Sequence, residues 1–279
     1  MNIKSIHHAD LATIERMYNR YPAVFILTTG RSGSKFLASL LDRSPNICAF
    51  HEPRPTLEFF SHFASTQQEQ AETLTQIFDT ARMESILEVF ITEKIYVESN
   101  QCLTFFAPFI ANLFKASRFV HVVRHPGDFV RSAIRKGWHK NDSIWEAGRV
   151  RIQDEEAWNK MDQVERLAWT WNFTNAYIES FGKTLNPQRF AFFKIEDLFN
   201  NTHEVTRMID FIGGNQIPTD TIKKIQNSPI NELIIGPDEP PNMKKVEHYP
   251  RYRNWDNTTK MKLKSYTQTL AEGYGYDLS

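Results

Sequence analysis

The sequence contains little cysteine, no long apolar run and no excess of charge. Its two cysteines, Cys48 and Cys102, are too few for a disulfide framework and lack metal-ligand spacing, so we expect two buried thiols in a reducing compartment. Because no run of about 18 apolar residues occurs, the sequence predicts no membrane span. The first residues contain no apolar signal segment either, and a cytoplasmic protein is expected.

Neither sign of charge dominates, since 33 Lys and Arg side chains are balanced by 33 Asp and Glu side chains. A general nucleic-acid binder is clearly basic, so this balance argues against that class but leaves room for a local basic pocket. Internal repeats, low-complexity tracts and linkers are also absent. A single domain over residues 1–279 is therefore predicted, which is an ordinary length for one α/β domain.

An apolar run followed by a basic loop rich in glycine and serine is the most informative stretch. Residues 24–27 (VFIL) are typical of a buried strand, residues 30–35 (GRSGSK) form the loop, and residues 36–41 continue in a helical pattern. This order predicts a phosphate cradle, because backbone N–H groups and the helix dipole attract an anion while Arg31 and Lys35 add charge. An ordinary βα turn is the alternative.

Strand and helix patterns alternate through the rest of the chain. Further strands are predicted at residues 94–98, 118–124 and 189–194, and helices at residues 10–20, 103–115, 164–181, 202–212 and 258–271, with another starting at Pro126. Residues 51–55 (HEPRP) are predicted as a fixed loop because prolines stiffen them. The alternation predicts an α/β protein with a P-loop-like three-layer fold, in which helices cover both faces of a central parallel sheet.

The loop at residues 30–35 departs from the two commonest nucleotide-binding patterns. A P-loop kinase or NTPase carries G-x-x-x-x-G-K-[ST], whose last hydroxyl holds Mg²⁺. Here the spacing is shorter and Phe36 follows Lys35, so that hydroxyl is missing. The G-x-G-x-x-G dinucleotide pattern is absent as well. The sequence therefore predicts charge neutralisation by protein groups, without a metal.

Two stretches together resemble the donor-binding motifs of sulfotransferases that use 3′-phosphoadenosine 5′-phosphosulfate (PAPS). Residues 29–37 (TGRSGSKFL) are similar to that family's 5′-phosphosulfate loop. Residues 124–132 (RHPGDFVRS) are similar to its 3′-phosphate motif, which pairs an arginine with a serine eight residues later. Residues 192–198 (FFKIEDL) and 250–255 (PRYRNW) resemble two weaker segments. The four matches follow the family's order, and the resemblance is strongest to bacterial and carbohydrate-type members.

The resemblance implies a two-phosphate site with PAPS as donor, 3′,5′-ADP as product and no metal. The implied contacts to the 5′-phosphosulfate are Arg31, Ser32, Gly33, Ser34 and Lys35, with Phe36 against the adenine. The implied contacts to the 3′-phosphate are Arg124 and Ser132, with Arg251 and Arg253 closing over the donor. Simpler interpretations stay open, namely core packing for Phe36, a solvated Lys35 and surface interactions for the later arginines.

Sulfuryl transfer needs positive charge at the leaving phosphate and a base at the acceptor. Arg31 is assigned the first role, which is electrostatic because a guanidinium does not readily give up a proton. Glu52 is the preferred base, as the resemblance to carbohydrate-type sulfotransferases implies, and Glu98 is its rival at the end of the second predicted strand. A loop carboxylate paired with Arg54 or Arg31 is the simpler interpretation of Glu52.

The expected activity is direct in-line transfer of the sulfuryl group from PAPS to a hydroxyl or amine, with a carbohydrate or glycolipid acceptor favoured. The expected partner is this small-molecule or carbohydrate acceptor, and no nucleic acid is expected. A Mg²⁺-dependent nucleotide kinase of P-loop type and a non-catalytic nucleotide-binding module are the alternatives. No motif predicts the acceptor's identity or the oligomeric state.

Overall fold

Five parallel strands form one sheet in a computed structural model that describes residues 10–140, 146, 148–228 and 249–279. The strands are β1 (Ala23–Leu27), β2 (Ile47–His51), β3 (Ile95–Ser99), β4 (Arg118–Val123) and β5 (Phe190–Lys194). Their order across the sheet is β2-β3-β1-β4-β5, and every pairing is parallel. The predicted α/β fold with a central parallel sheet is confirmed.

Twelve α-helices surround this sheet in the part of the chain that the structure describes. They are α1 (Leu11–Arg20), α2 (Ser34–Leu41), α3 (Glu58–Thr66), α4 (Ala71–Ile91), α5 (Ala107–Leu113), α6 (Pro126–Ile134), α7 (Glu155–Lys160), α8 (Gln163–Thr184), α9 (Ile195–Asn200), α10 (Thr202–Ile212), α11 (Thr219–Gln226) and α12 (Asn257–Gly273). Short 3-10 helices span Gln101–Phe106, Pro187–Arg189 and Tyr252–Asn254. Among the described residues, no helix combines the length and apolar character needed to cross a bilayer.

The four predicted strands correspond to β1, β3, β4 and β5, whereas β2 was not predicted. Among the described strands, β2 lies at the edge of the sheet and pairs with β3 alone, so four of its five residues are only partly buried. A run this short does not distinguish a strand from a loop by periodicity. The helix predicted at residues 103–115 is in fact a 3-10 helix followed by α5, with a proline in the first turn of α5.

Helices pack on both faces because the side chains of β1 alternate between two cores. Phe25 and Leu27 belong to a core shared with α1, α4, α5 and α8. Val24 and Ile26 belong to a second core that includes residues of α2, α10 and α11. Since successive side chains of a strand point to opposite faces, the continuous apolar run of β1 fills both layers.

Leaving β1, the chain crosses to β2 on one side of the sheet, whereas after β4 it continues to β5 on the other side. Parallel sheets bind ligands where such neighbouring connections part, beyond the carboxyl ends of the strands. The loop after β1 and the turn after β4 therefore flank a crevice. A ligand site is therefore expected at this edge of the sheet.

Gly33, at the start of α2, fits tightly against α9. Its φ of 78° is left-handed, and an added Cβ would lie 2.6 Å from Ile195 Cδ1 and 3.2 Å from Phe199 Cζ. We therefore expect Gly33→Ala to lower the free energy of unfolding by about 2 kcal/mol or more, from backbone strain and overpacking. Urea denaturation measures this change.

Gly273, at the end of α12, is the matched control for that experiment. An added Cβ there meets nothing within 4 Å, and its φ is outside the left-handed region. Gly273→Ala should leave stability unchanged or raise it by up to about 1 kcal/mol. Equal stabilities of the two variants would contradict the tight fit at Gly33.

Candidate active site

The loop after β1 has the backbone geometry of an anion cradle. Gly30 (φ 77°), Arg31 (φ 53°) and Gly33 (φ 78°) are all left-handed, a conformation that turns successive N–H groups toward one side. Gly33 is the N-cap of α2 and supplies no side-chain hydrogen bond, while an α-helix leaves its own first N–H groups unpaired. These donors can be satisfied by an anion at the helix N-terminus.

The serine side chains of this loop are buried, whereas its lysine is exposed. The Ser32 hydroxyl is buried and donates to the Gly30 carbonyl oxygen at 3.0 Å, and Ser34 is also buried. Lys35 is exposed. Phe36 is only 2% exposed, and its ring lies 4.7 Å from that of Phe199 in the core. For Phe36 this burial favours core packing over a contact with adenine.

The two strongest motifs of the sequence meet at this loop. Arg31 Nε donates to Ser132 Oγ at 3.1 Å, and Arg124 Nη1 donates to the Arg31 carbonyl oxygen at 2.7 Å. Their sequence separations are 101 and 93 residues. Because β1 and β4 are parallel neighbours, the residues that follow them lie at the same edge of the sheet. Arg31, Arg124 and Ser132 thus form one polar cluster.

Further arginines surround the start of α6. The pKa of Arg131 is lowered by burial and by the positive charges of Arg135, Arg251 and Arg124, against a smaller opposing effect of Asp128. Arg131 Nε also donates to the Tyr249 carbonyl oxygen at 3.0 Å. The charges of Arg251 and Arg124 thus both act on Arg131, which makes this side of the crevice net positive.

The segment of residues 249–255 is anchored to the start of α6 by Tyr252. Its ring packs directly against Gly127, in the space that a Cβ of this residue would occupy. The Tyr252 hydroxyl donates to the Leu278 carbonyl oxygen at 2.8 Å. Arg253 is exposed in the same 3-10 helix. In residues 192–198, Glu196 accepts hydrogen bonds from the His125 backbone N–H at 2.9 Å and from the Tyr276 hydroxyl at 2.8 Å. This carboxylate fixes the turn between β4 and α6.

Glu98, one of the two candidate bases, is fully buried in an ion pair. Arg82 donates to both of its oxygens, from Nε at 2.8 Å and from Nη2 at 2.9 Å. Tyr96 Oη and Asn100 Nδ2 donate to the same carboxylate at 2.7 and 3.0 Å. With about four lone-pair sites on a carboxylate, all of this hydrogen-bonding capacity is in use. The geometry fits a structural ion pair better than a base.

The same Arg82 holds the segment that contains Glu52. Its Nη1 donates to the Pro55 carbonyl oxygen at 2.8 Å, and its Nη2 lies 3.2 Å from the Pro53 carbonyl oxygen. Glu52 itself has a φ of 45°, and its backbone N–H donates to the Ser99 carbonyl oxygen at 3.2 Å. We call this arrangement of Arg82, Glu98 and residues 52–55 the carboxylate clamp. It leaves the Glu52 side chain partly exposed at the carboxyl edge of the sheet.

A pocket opens beside the loop after β1. Its empty volume is about 450 Å³, open solvent at the mouth included. The described residues that line it are Thr28, Thr29, Glu58, Ser61, Gln101, Cys102, Phe105, Trp138, His139, Gly148, Arg149, Val150, Thr170 and Thr174. Trp138 and His139 are aromatic side chains that the sequence offers as stacking surfaces for a sugar, and both line the pocket. The other lining residues were not predicted as site residues, because they come from separate parts of the chain and form no local motif. Trp145, offered on the same ground, lies outside the described residues.

Charges around the pocket are largely paired. Arg149 Nε donates to Glu146 Oε1 at 2.6 Å, Arg149 Nη2 lies 3.8 Å from Glu58 Oε1, and the guanidinium carbon is 3.9 Å from the Trp138 ring centre. Burial raises the pKa of Glu58; nearby Arg149 opposes this rise, while Glu52 adds to it. The pKa of His139 is lowered to about 3 by burial and by neighbouring arginines, so its ring is neutral near pH 7.

A parallel α/β sheet with a glycine-containing cradle and clustered arginines at one edge is an arrangement that can bind an anion such as a phosphate group. The family described as "Sulfotransferase family" matches residues 22–215, and the chain belongs to it. No curated protein sequence matches the chain.

Solved structures that share the fold include two sulfotransferase domains. One is the sulfotransferase domain of the olefin synthase from Synechococcus PCC 7002, with 19% identity and a TM-score of 0.54 over 94% of this chain and 97% of that one. The other is the sulfotransferase domain from the curacin biosynthetic pathway, with 18% identity and a TM-score of 0.54 over 94% of this chain and 100% of that one. At this identity the likeness establishes the fold.

Breaking the carboxylate clamp should loosen the Glu52 segment. Arg82→Met leaves Glu98 buried without its cation, so we expect a loss of about 3–5 kcal/mol in the free energy of unfolding. In hydrogen exchange under native conditions, the non-proline amides of residues 52–57 should exchange at least about tenfold faster.

Arg189 provides a matched control, because it also donates to carbonyl oxygens but far from this loop, at Ser117 (2.8 Å) and Phe114 (3.1 Å). Arg189→Met should destabilise the protein without changing exchange at residues 52–57. Unchanged exchange of that segment in Arg82→Met, or an equal effect in both variants, would refute the clamp.

Proposed function

We propose that the protein transfers the sulfuryl group of PAPS to a hydroxyl or amine, with a carbohydrate or glycolipid as the favoured acceptor. Membership of the sulfotransferase family supports the sulfuryl transfer. The observation that carries the choice of donor is the cluster in which Arg31 contacts Ser132 and Arg124 contacts Arg31. It joins two anion-binding elements, one after β1 and one after β4, as a donor with phosphate groups at both its 3′ and 5′ positions requires.

The residues present fit such a donor. The cradle of Gly30, Arg31 and Gly33 with the first turn of α2 offers convergent N–H groups to a 5′-phosphosulfate. Arg124 and Ser132, with the positive charge of Arg251 nearby, offer a guanidinium fork and a hydroxyl to a 3′-phosphate. We assign Lys35 and Arg253, both exposed, to the outer rim of the donor site. Phe36 is assigned to the core behind the cradle.

In the proposed reaction the acceptor oxygen attacks sulfur, and the bond from sulfur to the phosphate oxygen breaks in line. The electron pair of that bond leaves with 3′,5′-ADP, so negative charge grows on the phosphate beside Arg31. The Arg31 guanidinium stabilises this charge and keeps its own protons. The acceptor proton goes to Glu52, whose segment is fixed by the carboxylate clamp.

Strand spacing supports Glu52 as the base. It follows β2, which is separated from β1 by β3 alone, and strands in a sheet lie about 4.8 Å apart. The backbone of Glu52 therefore lies roughly 10 Å from the end of β1, which leaves space for an acceptor between base and cradle. Glu98 lies on β3 between them, but its oxygens are occupied by Arg82, Tyr96 and Asn100.

Ligand-induced stabilisation tests the choice of donor. We expect 3′,5′-ADP at about 100 times its dissociation constant to stabilise the protein by about 2.7 kcal/mol, which raises Tm by roughly 5–10 °C. The shift should survive EDTA and exceed the shifts given by ADP and ATP at the same concentration. A preference for ATP that requires magnesium would instead support the kinase alternative and overturn this proposal.

Arg124 should account for recognition of the 3′-phosphate. Arg124→Ala removes a charged donor, so the preference for 3′,5′-ADP over 5′-AMP should fall by about 10- to 100-fold in titration calorimetry. Arg207→Ala is the control, because Arg207 is exposed on α10 and pairs with Glu204. If Arg124→Ala keeps the full preference, the assignment of the 3′-phosphate site is wrong.

A further inference from the structure

The pocket beside the cradle contains buried polar atoms that have no partner. Thr28 is 1% exposed, and its hydroxyl oxygen makes no hydrogen bond to any described residue; the same holds for the side-chain oxygen of Gln101. Both residues line the pocket. Leaving such a group unpaired costs about 1–3 kcal/mol, and native proteins rarely do so without a reason. A ligand that forms hydrogen bonds inside the pocket would satisfy both atoms.

Thr28 also fixes where such a ligand would lie. It is the first residue after β1 and stands three positions before Arg31. Gln101 opens the 3-10 helix that follows β3, on the side of β1 toward Glu52. A ligand bonded to Thr28 and Gln101 therefore occupies the space between the proposed donor cradle and the proposed base.

The charges facing the pocket oppose an acidic ligand. The only guanidinium in its described lining, Arg149, is already paired with Glu146 and Glu58 and lies against Trp138. His139 Nε2 is 3.2 Å from the Thr170 hydroxyl, and its ring is buried beside Arg149, Arg151 and Arg166, which disfavour a charge on it. Glu58 lines the pocket, and the charge of Glu52 acts on it from nearby. Arg151 and Arg166 act on His139 but do not line the pocket. Among the described lining residues, an anion would therefore meet no cation without a carboxylate partner, and it would lose its hydration.

The walls of the pocket favour a mostly uncharged group. Phe105, Trp138 and Val150 supply apolar surface, and Ser61, Thr170 and Thr174 supply hydroxyls. The pocket is open to solvent at its mouth, so part of a larger molecule can enter it from that side. Aromatic surface combined with hydroxyls suits an uncharged ring that carries its own hydroxyl groups.

We propose that this pocket binds the acceptor and selects an uncharged hydroxyl compound. A hydroxyl of its reacting ring donates a hydrogen bond to the Gln101 side-chain oxygen, and another forms a hydrogen bond with the Thr28 hydroxyl, as donor or acceptor. The inference rests on the proposed function and narrows it. A neutral sugar, including the end of a neutral glycolipid, is accepted, whereas a uronate-bearing sugar is rejected. In the transfer step the bond formed is between the acceptor oxygen and sulfur, the bond broken is between sulfur and the phosphate oxygen, and the proton passes to Glu52.

Two probes that differ at one carbon test the inference. Hexyl β-D-glucoside and hexyl β-D-glucuronide share their ring and chain, and the second has a carboxylate in place of the 6-hydroxymethyl group of the first. In titration calorimetry with the protein saturated in 3′,5′-ADP, the glucoside should bind at least about tenfold more tightly than the glucuronide. In the presence of PAPS, the glucoside should also be the better acceptor of sulfate.

Two substitutions connect this preference to the pocket. Thr28→Val and Gln101→Met keep approximate side-chain size and remove the polar atoms, so each should weaken glucoside binding about five- to tenfold and leave 3′,5′-ADP affinity within about twofold. Thr267→Val is the matched control, because Thr267 is buried on α12 and bonds only within its helix, to the Leu263 carbonyl oxygen. The control should change neither affinity.

Three results would overturn the inference: equal or tighter binding of the glucuronide, unchanged glucoside affinity in both pocket variants, or no glucoside binding at about 10 mM. Measuring 3′,5′-ADP binding on the same sample separates these results from failure of the proposed function. If 3′,5′-ADP binds and the glucoside does not, only the acceptor inference falls. If 3′,5′-ADP does not bind, the donor assignment falls, while glucoside binding that depends on Thr28 still supports a neutral-ligand pocket.

Discussion

The pairing of β1 with β3 on one side and β4 on the other determines the whole site. Parallel neighbours end at the same edge, so the register that joins Leu27 to His121 also brings the Arg31 loop beside Arg124. On the other side, the register that joins Ile26 to Ser99 brings the same loop beside Gln101 and Thr28 beside Thr104. The proposed donor and acceptor regions therefore share one loop, with Arg31 between them.

Charged side chains are unevenly distributed around that loop, although the chain as a whole carries no net charge. Arginines 124, 131, 135 and 251 gather on the β4 side, where their mutual repulsion helps to lower the pKa of Arg131. Carboxyl groups 52, 58 and 146 gather on the β3 side, and two of them help to raise the pKa of another, Glu58. A balanced composition says nothing about such a separation, because net charge sums over the positions that the fold keeps apart. The arginine-rich side suits a polyphosphorylated donor, whereas on the other side Arg149 pairs with Glu58 and Glu146, which suits an uncharged acceptor.

Local sequence predicted the features that depend on a few consecutive residues. The cradle after β1, the helix start at Pro126, and the end of α10 at Gly213 each follow from residue types that impose a backbone conformation. The meeting of Arg31 with Arg124 could be predicted as well, since both follow strands and parallel strands share an edge. The edge strand β2 could not be predicted, because its five residues are only partly buried and carry little periodic signal. The shape of the pocket could not be predicted either, because α3, α8 and the 3-10 helix after β3 each contribute two or three residues from distant parts of the sequence.

Glu52 and Glu98 illustrate why residue type alone does not assign a base. Glu52 follows β2, and Glu98 lies near the end of β3, the neighbouring strand. The sequence alone excludes neither of them as a base. Burial separates their chemistry, because a carboxylate taken fully out of water needs a compensating cation and hydrogen bonds. Glu98 obtains them from Arg82, Tyr96 and Asn100, and in doing so loses the free lone pair that a base requires. Arg82 also donates hydrogen bonds to the carbonyl oxygens of Pro53 and Pro55, which follow Glu52 in the chain. The rival carboxylate is thereby connected to the proposed base, and its burial keeps Glu52 at the edge where an acceptor can reach it.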